Sequence, residues 1–225
     1  MLKGLIFDLD GVITDSAVYH LRAWNQLASE IGIKLPPEAS DDLRGRSRMD
    51  SLQVILRYGN QVGKYSDDEL AEFAERKNTA YRQSIKAMTR DDVLPGMLQL
   101  LQQARQQGLE MAIASASKNA PTILHNLQLE SFFPEIVDPD SLQHGKPDPE
   151  IYIAAQHLLK LNADEVISFE DAAAGVTAIK AAHQFAVGIG DAQVLRHADY
   201  IVPTTAQLHL DQLEAAFDHQ FQGLS

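Results

Sequence analysis

The sequence predicts an α/β fold: a doubly wound (Rossmann-like) parallel sheet core with an inserted all-helical cap domain. Three observations predict it. From about residue 93 onward, short apolar runs alternate with amphipathic stretches, the pattern that builds a parallel sheet covered by helices. One more apolar run, Leu5-Ile6-Phe7, stands alone near the N-terminus. Between the two lies a block with helical spacing only. The core is therefore assigned to residues 1–14 and 93–225, and the cap to residues 15–92.

The elements follow in order. "LIFDL" reads as the first strand. In the next segment Leu21, Trp24, Leu27, Ala28 and Ile31 fall on one helical face, and Gly32 supplies a C-terminal stop. Pro36 and Pro37 mark a loop, and a shorter helix is expected around Arg48 to Tyr58. Ser66 and Glu69 form a capping box at the start of a long helix. Its apolar stripe is Leu70, Phe73, Ala74, Tyr81, Ile85 and Met88, and Lys77 falls within it. A cation there either snorkels at the stripe's edge or faces an anion in a cleft. In the core, a helix from about Gly96 to Gln107 stops at Gly108, and "LEMAIAS" follows as a strand. A helix from Ala120, a short strand at "EIVDPD" and a helix from Pro149 come next. Strand "EVISFED", a helix from Ala172, strands "FAVGIG" and "YIVP" and a final helix complete the pattern.

The totals exclude several classes. Net charge is −12 and the pI is about 5.0, so nucleic acid and anionic membranes are poor partners. There is no cysteine, which removes disulfides, thiolate catalysis and Cys-based zinc sites and fits a reducing, cytoplasmic setting. Asp8 and Asp10 break the N-terminal apolar run too early for a signal peptide. Nothing approaches the length of a membrane-spanning apolar segment.

The chemistry gathers at the expected strand ends. If the first strand stays extended to Asp10, Asp8 and Asp10 point to the same side, at the end of the sheet where open α/β folds bind ligands. Two carboxylates there need a cation or a shared proton, and hard oxygen ligands favour Mg2+. Asp138 and Asp140 repeat the spacing in an apparent loop, so the spacing alone is not diagnostic. Three further sites join the first pair. Ser115, Ser117, Lys118 and Asn119 follow the second core strand, ahead of a helix. Lys146 precedes Pro147, with Asp148 suited to an N-cap and Pro149 to a first helical position. Glu170 and Asp171 end another apolar strand. Carboxylate, hydroxyl, lysine and carboxylate at successive core strand ends describe phosphoryl transfer. One carboxylate attacks phosphorus, a second moves the proton, a hydroxyl holds an oxygen, and lysine and Mg2+ balance the anions.

These residues resemble the haloacid dehalogenase superfamily over nearly the whole chain. Asp8-Leu9-Asp10-Gly11 is similar to its first motif, Ser115 to the second, Lys146 to the third and Glu170-Asp171 to the fourth. The resemblance implies Asp8 as nucleophile and Asp10 as general acid/base. It implies Mg2+ ligation by Asp8, the Asp10 carbonyl and Asp171, with Glu170 in or near the shell. The segments "FDLDGVITDSAVYHLRAW", "LRGRSRMDSL", "ERKN" and "ASASKN" are similar to the family's hexose-phosphate mutases. Those enzymes interconvert beta-glucose 1-phosphate and glucose 6-phosphate through the 1,6-bisphosphate.

By that resemblance His20 helps position Asp10 and couples cap closure to catalysis. Gly45, Arg46 and Arg48 belong to a substrate-specificity loop, with Arg48 gripping the phosphate that is not reacting. Lys77, Ser117, Lys118 and Asn119 reach the sugar phosphate. The family default is a monomer acting on small sugar phosphates. Two positions depart from it: Arg46 stands where an apolar residue is usual, and Ala172 where serine is common. A sugar-phosphate phosphatase would use the same core residues without needing the cap cations, and a non-catalytic phospho-ligand binder would be expected to lack a core carboxylate or lysine.

Overall fold

The computed structural model describes residues 1–43 and 46–222, without the side chains of residues 221 and 222. The chain forms two compact units, Met1–Asp15 with Thr89–Ser225, and Ser16–Met88. In chain order, β1 (Gly4–Phe7) precedes four helices of the second unit: α1 (Ala17–Glu30), α2 (Ala39–Leu43), α3 (Arg48–Tyr58) and α4 (Asp67–Ile85). The first unit resumes with α5 (Met97–Gln106), β2 (Glu110–Ile113), α6 (Ala120–Asn126), β3 (Glu135–Ile136) and α7 (Glu150–Leu159). It ends with β4 (Val166–Glu170), α8 (Ala173–Ala181), β5 (Phe185–Ile189), β6 (Tyr200–Val202) and α9 (Leu210–Gln222).

The strands make one parallel sheet in the order β3-β2-β1-β4-β5-β6. Chain order reverses at β1, which lies between β2 and β4, so the ligand-binding switch point of a doubly wound sheet falls at the end of β1. Every residue of β1, β4 and β5 is buried, which is why these strands read as unbroken apolar runs rather than alternating ones. Phe7 stacks on Phe169 at 4.6 Å between ring centroids, locking β1 to β4 one residue before both strands turn polar.

The second unit has its own core, in which Trp24, Leu27 and Ala28 of α1 pack with Leu52, Ile55 and Leu56 of α3 and Phe73 of α4. The Ser66–Glu69 capping box opens α4, each side chain closing on the other's backbone N–H. Pro36 and Pro37 lie in a loop as expected, and α2 begins just after it at Ala39. Ala39 and Ser40 donate to the carbonyls of Pro36 and Pro37, because a proline's fixed φ suits a first helical turn and its missing N–H costs nothing there. No helix among the described residues is long and apolar enough to cross a membrane.

Candidate active site

Strand register brings the carboxylates together. Phe7 pairs with Phe169, and the Asp8 N–H donates to the Phe169 carbonyl at 3.1 Å, so Asp8 and Glu170 leave adjacent strands side by side. The strand does not stay extended to Asp10: β1 ends at Phe7 and the chain curls, with Ile13 and Thr14 donating to the Leu9 carbonyl. Asp10 sits in this curl, bridged to Thr14, and its charge still acts on Asp8. Gly11 makes the curl possible. Its φ is +73°, and a Cβ there would lie 2.0 Å from an Asp171 oxygen, so a side chain is excluded by conformation and by contact.

Lys146 is the cation of the cluster. Its side chain is 2% exposed, with Nζ 2.5 Å from Glu170 Oε1 and 3.2 Å from Asp8 Oδ1. Burial opposes its charge, but the two carboxylates outweigh it and hold the ammonium's pKa above the ordinary lysine value. Asp8 moves the other way. Burial pushes its pKa well up, Lys146 opposes this, and the charges of Glu170, Asp10 and Asp171 reinforce it. One lysine thus faces an excess of buried negative charge. Oxygens of Asp8, Glu170 and Asp171 all lie within 4.8 Å of one another, and this all-oxygen donor set fits a hard divalent cation.

Glu170 is held at four points. Asp171 N–H and Ala172 N–H each donate to Oε2 at 2.9 Å, and Lys146 and the Tyr152 hydroxyl (3.1 Å) donate to Oε1. Ala172 therefore supports the site through its backbone, where a serine hydroxyl was the family expectation. Gly175 leaves room for the arrangement, since a Cβ there would sit 1.8 Å from Glu170 Oε1. Gly175→Ala is expected to force the carboxylate off its donors and lower metal-free stability by about 1–3 kcal/mol, read as a shifted urea midpoint. An unchanged midpoint would contradict this packing.

Ser115, 2% exposed, follows β2 beside β1, where Ala114 N–H donates to the Phe7 carbonyl. Its hydroxyl accepts from Ser117 N–H at 3.1 Å, and the Ser117 hydroxyl accepts from Asn119 N–H at 3.3 Å. Asn119 is buried at the start of α6. Lys118 pairs with Asp140, so the second Asp-x-Asp of the sequence engages a candidate phosphate lysine. The α7 start lies one residue later than expected: Pro149, rather than Asp148, is the N-cap, although Asp148 still accepts from Glu150 N–H at 3.0 Å.

In the helical unit Lys77 is 3% exposed, which excludes snorkelling at the edge of the stripe. Its Nζ lies 2.6 Å from His20 Nδ1, 4.5 Å from the Trp24 ring centroid and 4.9 Å from that of Tyr81. An ammonium only donates, so Nδ1 accepts and a neutral His20 carries its proton on Nε2. Burial, then the charges of Lys77 and Arg48, hold the His20 pKa well below the usual imidazole value. Its ring stacks on Tyr81 at 3.8 Å. Arg48 opens α3, 3.8 Å from Glu75, whereas exposed Arg46 turns back to donate to the Asp42 carbonyl. Gly45 lies outside the described residues.

Sequence reading missed Tyr152 and Gly175. Both read as ordinary helix residues, and only the meeting of α7 and α8 with Glu170 singles them out. The available signal was a tyrosine within one helical turn of the "KPDP" segment. Burial, followed by the charges of Glu170 and Asp8, raises the Tyr152 pKa, so its hydroxyl stays protonated and donates.

A haloacid dehalogenase-like hydrolase family model matches residues 2–183. The chain is 42% identical over 217 residues to a beta-phosphoglucomutase of Bacillus subtilis, covering 96% of each. It is 25% identical over 183 residues to a phosphorylated carbohydrates phosphatase of Thermotoga maritima, covering 80% of this chain and 82% of the relative. Among solved structures, a beta-phosphoglucomutase of Clostridium difficile matches with a TM-score of 0.97 at 37% identity, covering 99% of this chain and 100% of the other.

Proposed function

The chain belongs to the haloacid dehalogenase-like hydrolase family, and on that premise we propose that it works as a beta-phosphoglucomutase, interconverting beta-D-glucose 1-phosphate and D-glucose 6-phosphate. The observation that carries this choice is the likeness to the Bacillus subtilis mutase, at 42% identity across 96% of both chains.

The core residues supply the chemistry. An Asp8 oxygen attacks a phosphoryl group of beta-glucose 1,6-bisphosphate, and the bond from phosphorus to the sugar oxygen breaks as the Asp8–phosphorus bond forms. Asp10 gives its proton to the departing sugar oxygen. In the return step a hydroxyl of the sugar monophosphate attacks the aspartyl-phosphate, loses its proton to Asp10 and frees the Asp8 carboxylate. Lys146 balances charge beside Asp8, and Ser115 donates to a phosphoryl oxygen. Bound Mg2+, held by Asp8, Asp171 and the Asp10 carbonyl with Glu170 in or near its shell, would neutralise the phosphoryl oxygens as a Lewis acid.

Residues of the helical unit and of the loop between β2 and α6 are assigned to the sugar phosphate. Arg48 is assigned the phosphate that is not reacting, with Gly45, Arg46, Lys77, Ser117, Lys118 and Asn119 as further contacts. His20, neutral and donating from Nε2, is assigned to positioning Asp10. The reading carries a cytoplasmic, monomeric enzyme, supported by the absence of cysteine for the compartment and by family habit for the monomer.

The test supplies beta-glucose 1-phosphate, Mg2+ and a trace of the 1,6-bisphosphate, then measures glucose 6-phosphate and free phosphate in one sample. Glucose 6-phosphate is expected far ahead of phosphate. Phosphate release matching substrate loss would replace the mutase with a sugar-phosphate phosphatase.

A further inference from the structure

Lys146 reaches the carboxylates from a segment with no regular structure of its own. Residues 142–149 form neither helix nor strand, and Gln143, His144, Gly145 and Pro147 are exposed. Yet the Lys146 side chain is 2% exposed, and its Nζ meets Glu170 at 2.5 Å and Asp8 at 3.2 Å. An ammonium set between two carboxylates stays there only if its backbone is held as well. Packing does not hold it just ahead of the lysine, since a Cβ added at Gly145 would meet nothing within 4 Å.

Hydrogen bonds do. Glu150, the first residue of α7, turns its carboxylate back onto the segment. Gln143 N–H donates to Oε1 at 3.0 Å and to Oε2 at 2.9 Å, and His144 N–H donates to Oε2 at 2.7 Å. Such charge-assisted bonds are about twice as strong as neutral ones, and these hold the Glu150 pKa below the ordinary carboxylate value. On the far side of the lysine, Asp148 N–H donates to the Gly145 carbonyl at 3.0 Å, and Glu150 N–H donates to Asp148 Oδ1 at 3.0 Å. The segment is thus closed on Glu150 from both sides, with Lys146 between. Helix α7 is a firm anchor, because Ile151, Tyr152 and Ala155 are buried in the core. An acid in a first helical turn also suits the helix dipole, but that role asks for charge alone and not for two N–H groups of the preceding segment.

We propose that Glu150 is a positioning residue that ties the Lys146 segment to α7 and so sets where the ammonium stands beside Asp8. Glu150 touches neither sugar phosphate nor reacting atoms in this role. The inference rests on Lys146 serving Asp8, and not on whether the phosphoryl group ends on a sugar or on water.

Nuclear magnetic resonance of the isotope-labelled, metal-free protein tests it through the lysine ammonium groups, whose protons exchange slowly when buried and hydrogen-bonded. Lys146→Met assigns the Lys146 signal, and Lys77, 3% exposed in the helical unit, is the internal control. Glu150→Ala is expected to speed exchange at Lys146 by about tenfold and to leave Lys77 unchanged. With Mg2+ and a trace of the 1,6-bisphosphate, its kcat for loss of beta-glucose 1-phosphate is expected to fall about tenfold, with KM within about twofold of the wild type. Should Glu150→Ala fail to fold, Glu150→Gln, which keeps the size and one acceptor oxygen, is expected to show smaller changes in the same direction. Unchanged exchange at Lys146, or equal acceleration at Lys77, overturns the inference, and so does a raised KM with kcat intact. A wild type that consumes no beta-glucose 1-phosphate removes the proposed function, while the exchange measurement still decides the role of Glu150.

Discussion

Asp8→Asn is expected to abolish turnover of beta-glucose 1-phosphate, by about 10⁴-fold or more. The amide occupies the same space but has no anionic oxygen to attack phosphorus, so no aspartyl-phosphate forms and neither half of the transfer proceeds. The fold is expected to survive. Asp8 is buried beside Glu170, Asp10 and Asp171 with Lys146 as the cation at hand, and burial together with the neighbouring carboxylates disfavours its ionised form. A neutral residue relieves that crowding, so the metal-free melting temperature should equal or exceed that of the wild type. Turnover, melting and intact mass after incubation with the 1,6-bisphosphate check the prediction together. A phosphorylated adduct on the variant would remove Asp8 from its assigned role.

Lys146→Met carries the second large effect, and it falls on stability as well as rate. Methionine fills similar space but leaves Asp8 and Glu170 buried without their shared cation. Breaking a buried pair by removing one partner costs about 3–5 kcal/mol, because the remaining charges cannot be rehydrated. In a chain of this size that corresponds to a melting temperature lower by about 10 °C. Mg2+ offers the orphaned carboxylates another cation, so it should raise the melting temperature more for Lys146→Met than for the wild type. An equal response in both proteins would mean that Lys146 acts through packing rather than charge. Turnover is expected to fall by about 10³-fold even with Mg2+ saturating, since a buried fixed charge beside the reacting group is lost.

The reach of sequence reasoning differed between elements for identifiable reasons. The strands were legible because parallel strands buried on both faces must be continuous apolar runs, and each run ends where a polar residue meets the ligand-binding edge. The capping box at Ser66 and the helix from Arg48 to Tyr58 were legible because their signals are local. The α2 helix was not, since paired prolines signal both a loop and a helix start, and only burial of Ala39 decides between them. Lys77 shows the same limit. Its place in the apolar stripe was visible, but whether it emerged or stayed buried depended on His20, Trp24 and Tyr81 beside it.

By itself the sequence determined the α/β class and the polar strand ends. It also singled out the residues Asp8, Asp10, Ser115, Lys146, Glu170 and Asp171, because apolar periodicity and strand termination are written in neighbouring residues. Tertiary structure alone decided how those groups are shared. It curled Asp10 out of the strand, set Lys146 between two carboxylates, and closed the four donors around Glu170 with Tyr152 from one helix and the space at Gly175 from another. The physical reason is range. A burial pattern is a property of a segment, whereas a hydrogen bond between β4 and α7 exists only once register and packing have brought their side chains to within about 3 Å of each other.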